Sequence, residues 1–180
     1  NAHIVQGDLF YLPLRPRFDF IYCFGVLHHT PDPRKGFENL VNIMKKESEI
    51  YMWVYGKSKV VPYFKMIRKI TVNSPDFIKR AIAIFFAAAL HIWASFYLLA
   101  KKIPFVNKYA KKIPLWQYSE RSFKGKIVTT VDHFSVPIIN FYDGKDLEPW
   151  FDRKDLRDVR IMSRYGDQWG SSWRCFARKA

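Results

Sequence analysis

Two polar pairs that contain histidine are the side chains of this chain best suited to proton transfer. His28 and His29 are adjacent in the run GVLHHTPDP, and Asp132 precedes His133 in VDHFSVP. Histidine titrates near neutral pH, so these imidazoles could act as general bases. They could instead shape a pocket, cap a loop or form a surface turn. A metal site is poorly supported, because adjacent histidines point in different directions and no third ligand is evident.

The residues before the histidine pair predict a strand that ends at a ligand site. Residues 20–24 (FIYCF) form a continuous apolar run rich in β-formers, and Gly25 ends it. This pattern is typical of a strand buried on both faces of a parallel sheet. In open α/β sheets, ligands bind beyond the carboxyl ends of the strands. A cofactor or substrate is therefore expected at this junction.

The remaining pattern predicts a mixture of strands and helices. Strands are expected at residues 2–5, 18–24, 50–55, 158–163 and 173–177. Helices are expected at residues 33–46, 63–70 and 145–151. Residues 127–131 should form a short strand or an extended return. Tyr55 ends the strand at 50–55, so it could line a substrate pocket, although alternating aromatics are more often core residues.

Three motifs follow one another in the first third of the chain, namely GDLFYLP at 7–13, Phe18-Asp19, and VLHHTPDP at 26–33. In this order they resemble the core of class I S-adenosylmethionine-dependent methyltransferases. The resemblance is greatest to the type-11 group that includes quinone-biosynthesis enzymes. It implies an α/β, Rossmann-like class I methyltransferase sheet whose N-terminal strands are missing, with an inserted helical lid. It also implies S-adenosylmethionine as the cofactor.

The resemblance places an acidic residue and its neighbours near the adenine of the cofactor. Asp8 matches the acid that lies near the adenine amino group, and a carboxylate can accept a hydrogen bond from an exocyclic amine. Leu9 matches the position that contributes backbone contacts, and Leu9 and Phe10 together offer apolar contact to the ring. The alternative is an ordinary turn aspartate.

The end of the predicted central strand is placed by the same resemblance beside the methionine part of the cofactor. Cys23, Phe24, Gly25 and His28 are assigned to this part of the pocket. Gly25 permits close approach of the backbone. A nucleophilic role for Cys23 is disfavoured, because buried thiols are usually inert.

The catalytic and acceptor-binding residues are assigned last. His29 and His133 are the candidate catalytic bases, while Tyr55 and Asp132 are candidate substrate contacts. In the resembling enzymes the region around His133 follows the insertion and covers the active site. Methyl transfer demands little from the protein beyond positioning and desolvation of the acceptor, because the sulfonium is already activated.

The resembling enzymes also carry a glycine-rich loop after their first strand and an acidic residue at the end of the second. No G-x-G pattern occurs in these 180 residues, and the chain opens at Asn1, almost directly on the expected third strand. We therefore expect a fragment that lacks about the first third of its catalytic domain and binds the cofactor weakly by itself.

The net charge of +14 is concentrated in one segment. Residues 57–126 contain 15 Lys and Arg against two acids, which gives +13, whereas the rest has 15 against 14, which gives +1. We interpret residues 57–126 as a basic, apolar helical insertion. It separates residues 1–56, the C-terminal part of the cofactor-binding core, from residues 127–180, the final helix and strands. Cys23 and Cys175 should be free and reduced, consistent with a cytosolic protein.

Residues 81–100 inside the insertion carry no formal charge if His91 is neutral, and basic pairs flank them. Three arrangements stay open: a lid without membrane contact, a lid that lies on an anionic membrane surface, or a true span. A single span would put the flanking halves of one domain on opposite sides of the membrane. Nucleic-acid binding is disfavoured, because the long uncharged core offers phosphates nothing to contact.

These observations predict a cytoplasmic enzyme, peripheral at the inner face of the membrane if the insertion binds lipid. It would transfer a methyl group from S-adenosylmethionine to a small-molecule or lipid-like acceptor. The alternative is a non-enzymatic membrane-surface module that keeps the fold without the chemistry. The identity of the acceptor and the oligomeric state stay open.

Overall fold

The computed structural model describes residues 2–113, 115–163 and 172–180. The described chain divides into two compact units. The first, called here the sheet unit, comprises residues 2–57, 138–163 and 172–180. The second, called here the helical unit, lies within residues 58–137.

The sheet unit contains four strands and two α-helices. In chain order they are β1 (Phe18–Phe24), α1 (Pro33–Asn42), β2 (Met44–Tyr55), α6 (Gly144–Phe151), β3 (Leu156–Ser163) and β4 (Ser172–Lys179). The strands are ordered β1-β2-β4-β3, with β1 and β2 parallel and the other neighbours antiparallel. Parallel strands joined through a helix are the repeating unit of Rossmann-like sheets. The predicted α/β fold class is confirmed.

The core of the sheet unit lies on one face of the sheet. Ile50, Met52 and Val54 alternate along β2 and are fully buried. The helices α1 and α6 contribute Phe37 and Phe151 to the same core, with their ring centroids 4.6 Å apart. Alternation of buried and exposed side chains is what a strand with one covered face requires.

The bounds of β1 match the sequence prediction, but its predicted burial on both faces is wrong. Ile21 and Cys23 are buried, whereas Phe20, Tyr22 and Phe24 are 53%, 63% and 46% exposed. The reason is that α1 and α6 pack on a single face and β1 is an edge strand of the described sheet. The other face presents a row of stacked aromatic rings.

Other sequence predictions need correction. Residues 2–5 form no strand. The helix predicted for 33–46 ends at Asn42, and β2 begins at Met44 rather than at residue 50. Residues 127–131 belong to the helix Phe123–Ser135. Ser122 caps the N-terminus of this helix by accepting a hydrogen bond from the Gly125 amide at 3.1 Å. Once the helix has started, its packing outweighs the strand preference of Val128 and other β-branched residues.

The helical unit contains four α-helices and two short 3-10 turns. The helices are α2 (Val61–Thr71), α3 (Asp76–Ala100), α4 (Pro104–Tyr109) and α5 (Phe123–Ser135), and the turns are Ala110–Lys112 and Trp116–Glu120. Arg68 of α2 donates to the carbonyls of His133, at 2.9 Å, and Val136, at 2.8 Å. A cation at the C-terminal end of α5 also complements the helix dipole. These bonds join α2 to the end of α5.

The acid stability of the sheet unit should depend in part on Asp155. Hydrogen bonds from Arg153 and then Lys179 hold the pKa of its carboxyl well below its usual value. This stabilisation is present above the unfolded-state pKa of about 4 and is lost as pH falls below it. Asp155→Asn should therefore lower the urea denaturation midpoint at neutral pH. The difference in midpoint between the variant and the unaltered protein should become smaller as pH falls toward about 2.

Asp19→Asn is the matched control, because Asp19 pairs with Lys45 at 2.8 Å but its side chain is 83% exposed. Such exposed pairs contribute little. Urea denaturation at several pH values measures both variants. An Asp155→Asn deficit that stays constant with pH would contradict the assignment.

Candidate functional site

The loop after β1 offers bare backbone at the carboxyl end of the strand. Gly25 has φ of 75°, a conformation that favours glycine, and its amide donates to the Trp53 carbonyl at 3.2 Å. A Cβ atom placed on Gly25 would have nothing within 4 Å. The hydrogen bonding between the parallel strands β1 and β2 therefore continues to the end of β1, and the space beside Gly25 is open. Such space allows a ligand to approach the backbone closely.

An aromatic cluster lies directly after Gly25. His28 sits in the short 3-10 turn Leu27–His29 and is 1% exposed. Its ring centroid lies 4.2 Å from those of both His29 and Tyr55, and 5.7 Å from that of Trp53. The structure therefore brings three residues predicted for the site, His28, His29 and Tyr55, into one cluster.

The ring of His29 has a defined tautomer. Its Nδ1 atom lies 2.9 Å from the carbonyl oxygen of Ile138. A carbonyl only accepts hydrogen bonds, so Nδ1 carries the proton and the neutral ring has its lone pair on Nε2. This is the form that a general base needs.

Asn140 holds the loop in place and was missed by the sequence analysis. Its backbone amide donates to the His28 carbonyl at 2.8 Å, and its side-chain amide donates to the Thr30 carbonyl at 3.2 Å. Two residues further on, the Tyr142 amide donates to the Tyr55 carbonyl at 3.0 Å. The only available signal was a single amide side chain within the apolar run IINF.

The Asp8 region forms a tight turn. The Asp8 carboxylate accepts a hydrogen bond from the Phe10 amide at 2.8 Å, and Asn39 donates to the Leu9 carbonyl at 3.0 Å. The Asp8 side chain stays exposed, while Leu9 and Phe10 are half-buried. The turn leaves carboxylate lone pairs available to a further donor. The adenine contact of these three residues stays a prediction.

Cys23 and Phe24 lie on opposite faces of β1. The Cys23 thiol is buried, and burial raises its pKa to about 11. Such a thiol is a poor nucleophile at neutral pH. The Phe24 ring is exposed and stacks on Trp53 with centroids 4.7 Å apart. Only one of these side chains can therefore face a ligand at the exposed surface of the sheet.

Asp132 and His133 lie in the helical unit, on α5. His133 is buried, and its Nδ1 atom lies 2.7 Å from the Thr129 carbonyl. By the same argument as for His29, its neutral ring has its lone pair on Nε2. Asp132 is half-buried.

His133 lines a cavity of about 250 Å³ inside the helical unit. The walls of the cavity are almost entirely apolar. His133 and Thr130 contribute polar side chains to the lining. The lining residues are Val60, Tyr63, Phe64, Ile67, Phe86, Leu90, Leu115, Tyr118, Thr130, His133 and Phe134. Within residues 2–113, 115–163 and 172–180, no cluster of three or more His, Cys, Asp or Glu side chains could hold a metal ion.

Comparison with known proteins relates the first part of the chain to methyltransferases. Residues 1–52 match the model of a family described as "Methyltransferase domain". This segment contains β1, the histidine loop and α1, together with most of β2. A search of curated proteins gives no match. Residues 1–52 thus support a methyltransferase domain.

Among solved structures, two similar chains come from Thermotoga maritima and Bordetella parapertussis. The first is described as a "SAM-dependent methyltransferase, possible histamine N-methyltransferase", with 11% identity, a TM-score of 0.49, and coverage of 99% of this chain and 65% of that chain. The second is described as a "possible exported protein", with 12% identity, a TM-score of 0.47, and coverage of 96% of this chain and 42% of that chain. This chain therefore spans less than two thirds of either.

The two cysteines should be unreactive in the folded protein. Burial raises the pKa of Cys23 to about 11 and that of Cys175 to about 12, so neither forms much thiolate near neutral pH. Ellman's reagent should modify neither thiol in buffer and both in guanidinium chloride. Lys154→Cys, at an exposed position, is the positive control. Rapid modification of Cys23 in the native protein would contradict its described burial.

Proposed function

We propose that the chain is part of a methyltransferase that uses S-adenosylmethionine. The supporting observation is that the segment matching a methyltransferase domain, residues 1–52, contains most of the residues around the site. It holds the Asp8 turn, Gly25 and the His28–His29 pair, and it ends three residues before Tyr55. Sequence likeness and site geometry therefore concern the same part of the molecule.

Two features of the sheet unit would suit this cofactor. The exposed Asp8 carboxylate would accept a hydrogen bond from an adenine amino group. The open space at Gly25 would admit the methionine part against the backbone. When bound, S-adenosylmethionine would supply a methyl group already activated by its sulfonium.

The chain's own contribution would be positioning and proton removal. The His28 ring packs against both His29 and Tyr55, with centroid distances of 4.2 Å, and would hold Tyr55 at the end of β2. The Ile138 carbonyl fixes the His29 tautomer, so Nε2 would take the proton from an oxygen or nitrogen acceptor. The packed rings would exclude water from this end of the sheet.

The acceptor, in this proposal, carries an apolar chain. The cavity of about 250 Å³ in the helical unit has apolar walls and would hold a chain of roughly eight methylene-sized groups, at about 30 Å³ for each water-sized group. His133 and Asp132 lie on the helix that lines it. This assignment of the acceptor class is based on the cavity and does not depend on the assignment of the cofactor.

Cofactor binding should depend on the backbone of Gly25. Calorimetry on the complete gene product that carries this chain should detect binding of S-adenosylmethionine. Gly25→Ala should weaken it about tenfold, because the added methyl group occupies the open space through which the cofactor approaches the backbone. Gly125→Ala, in the first turn of α5, is the matched control and should bind normally.

Absence of any binding heat in the unaltered protein would refute the enzyme hypothesis. It would favour a non-enzymatic module that binds membranes and keeps the fold, which the exposed apolar surface of the helical unit makes the second candidate. Normal binding of S-adenosylmethionine by Gly25→Ala would reject the role of Gly25 but not the enzyme hypothesis.

The acceptor proposal should respond to filling of the cavity. Leu90→Trp adds volume to the cavity wall and should abolish the fluorescence enhancement of the apolar probe N-phenylnaphthylamine. Val128→Trp, on the exposed side of α5, should leave probe binding unchanged. Equal probe binding by Leu90→Trp and the unaltered protein would exclude the cavity as the apolar site.

A further inference from the structure

The longest helix of the chain presents a continuous apolar stripe to its surroundings. Phe77, Ile84, Phe85, Ile92, Phe96 and Leu99 of α3 are between 50% and 72% exposed. We call these six residues the α3 stripe. Their spacing places them on one side of the helix, over about 33 Å at 1.5 Å per residue. Exposed apolar patches of this extent mark interaction sites or liabilities in soluble proteins.

The opposite side of α3 is built for close packing inside the helical unit. Ala83, Ala87, Ala94 and Tyr97 are at most 4% exposed. Within the unit, α3 packs against α5 and the turn Trp116–Glu120. Apart from Tyr97, the buried residues are small, whereas the large apolar residues of the stripe lie outside, which reverses the usual distribution for a soluble helix. Packing within the unit does not explain the large side chains.

Cations flank the stripe at both ends. Arg80 lies near its N-terminal end, and Lys101 and Lys102 follow its C-terminal end, all exposed. The surrounding segment, residues 57–126, has a net charge of +13. An apolar helix face beside basic residues is typical of helices that bind anionic membrane surfaces.

Within the described residues, α3 is the one helix long and apolar enough to cross a membrane by length and composition, and 22% of its most apolar window is buried. A spanning arrangement would pull α3 away from α5. Lys126, Thr130 and Gln117, which are buried polar residues of the unit, would then lose their cover and be exposed to lipid. An orientation parallel to the membrane leaves this packing intact.

Self-association through the stripe is opposed by charge. In a parallel pair of α3 helices, the ends carrying Lys101 and Lys102 would meet each other. In an antiparallel pair, they would meet the end of the second copy that carries Asp76, Lys79 and Arg80, whose net charge is +1. Both arrangements place like charges together, which disfavours a dimer. Anionic headgroups would instead neutralise both ends of the helix.

We propose that the helical unit binds the surface of an anionic membrane, with α3 parallel to the bilayer and the α3 stripe among the headgroups and upper acyl chains. This proposal does not depend on methyl transfer. Lipid headgroups neutralise the flanking cations, and the aromatic and aliphatic stripe leaves water. The buried face of α3 keeps its contacts with α5.

Vesicle flotation tests the proposal with the full chain. Binding is expected to vesicles of phosphatidylcholine mixed with phosphatidylserine, weak binding to phosphatidylcholine alone, and loss of binding as salt rises from about 0.1 M to about 1 M. Lys101→Gln with Lys102→Gln should weaken binding on the order of fivefold for each cation removed. The proposal would be overturned if the same amount of protein floated with and without vesicles, or if binding did not depend on phosphatidylserine.

A pair of matched substitutions separates the stripe from general charge effects. Phe96→Glu and Val128→Glu make the same change in net charge at positions that are 65% and 61% exposed. Phe96→Glu should weaken binding about tenfold or more, because it removes a buried apolar group from the interface. Val128→Glu, on α5, should change it far less. Equal effects would reject the stripe as the contact surface.

A labelling experiment covers the case in which Phe96→Glu fails to fold. Phe85→Cys and Val128→Cys are labelled with an environment-sensitive fluorophore, which spares the buried Cys23 and Cys175. Anionic vesicles should shift the emission of the label at residue 85 to the blue and leave that at residue 128 unchanged. A shift at both positions, as expected if the helix unpacks to span, or at neither, would contradict the proposal.

Discussion

The hydrogen bonds from Asn140 to the carbonyls of His28 and Thr30 are the constraint on which the sheet unit's site depends. The loop after β1 has no neighbouring strand of its own to hold it, so its carbonyls need donors from elsewhere in the chain. Asn140 supplies them with its backbone and side chain at once. With the loop fixed, His28 packs against Tyr55 and the tautomer of His29 is determined by Ile138.

The helical unit follows a different physical rule. Its interior relies on small residues such as Ala83 and Ala87, which let α5 approach α3 closely, and on Arg68, whose guanidinium satisfies carbonyls at the end of α5. Burial lowers the pKa of Arg68, with partial compensation from the charge of Asp132. The unit therefore gains order from backbone bonding and close contact, and it leaves its bulky apolar side chains on the surface.

Much of the sheet unit was predictable because local signals agree there. The apolar run ended by Gly25 gave the bounds of Phe18–Phe24 correctly, and Pro33 marks the start of α1. The exposed face of β1 was not predictable, because a continuous apolar run looks the same whether one or both faces are covered. The helix at residues 127–131 was missed because its Val and Thr residues favour strands when taken locally.

The placement of Asn140 shows where sequence reasoning stops. It acts on a loop 112 positions earlier, a pairing that local periodicity does not encode. The clustering of His28, His29 and Tyr55 was partly foreseeable, since carboxyl ends of parallel strands lie together. The position of His133 in an apolar cavity was not foreseeable, because it depends on how four helices pack.

The backbone bridge between Gly56 and Tyr142 has a consequence for how this chain can change. Both residues of this bridge belong to the sheet unit. The bridge therefore holds together the two points of the sheet unit between which residues 58–137 lie in sequence. The cost of closing a loop rises only slowly with its length. Helices could thus be added, lost or exchanged between these anchored ends at little expense to the sheet. Descendants of one ancestral sheet could in this way acquire different surfaces while the strands beneath stayed the same.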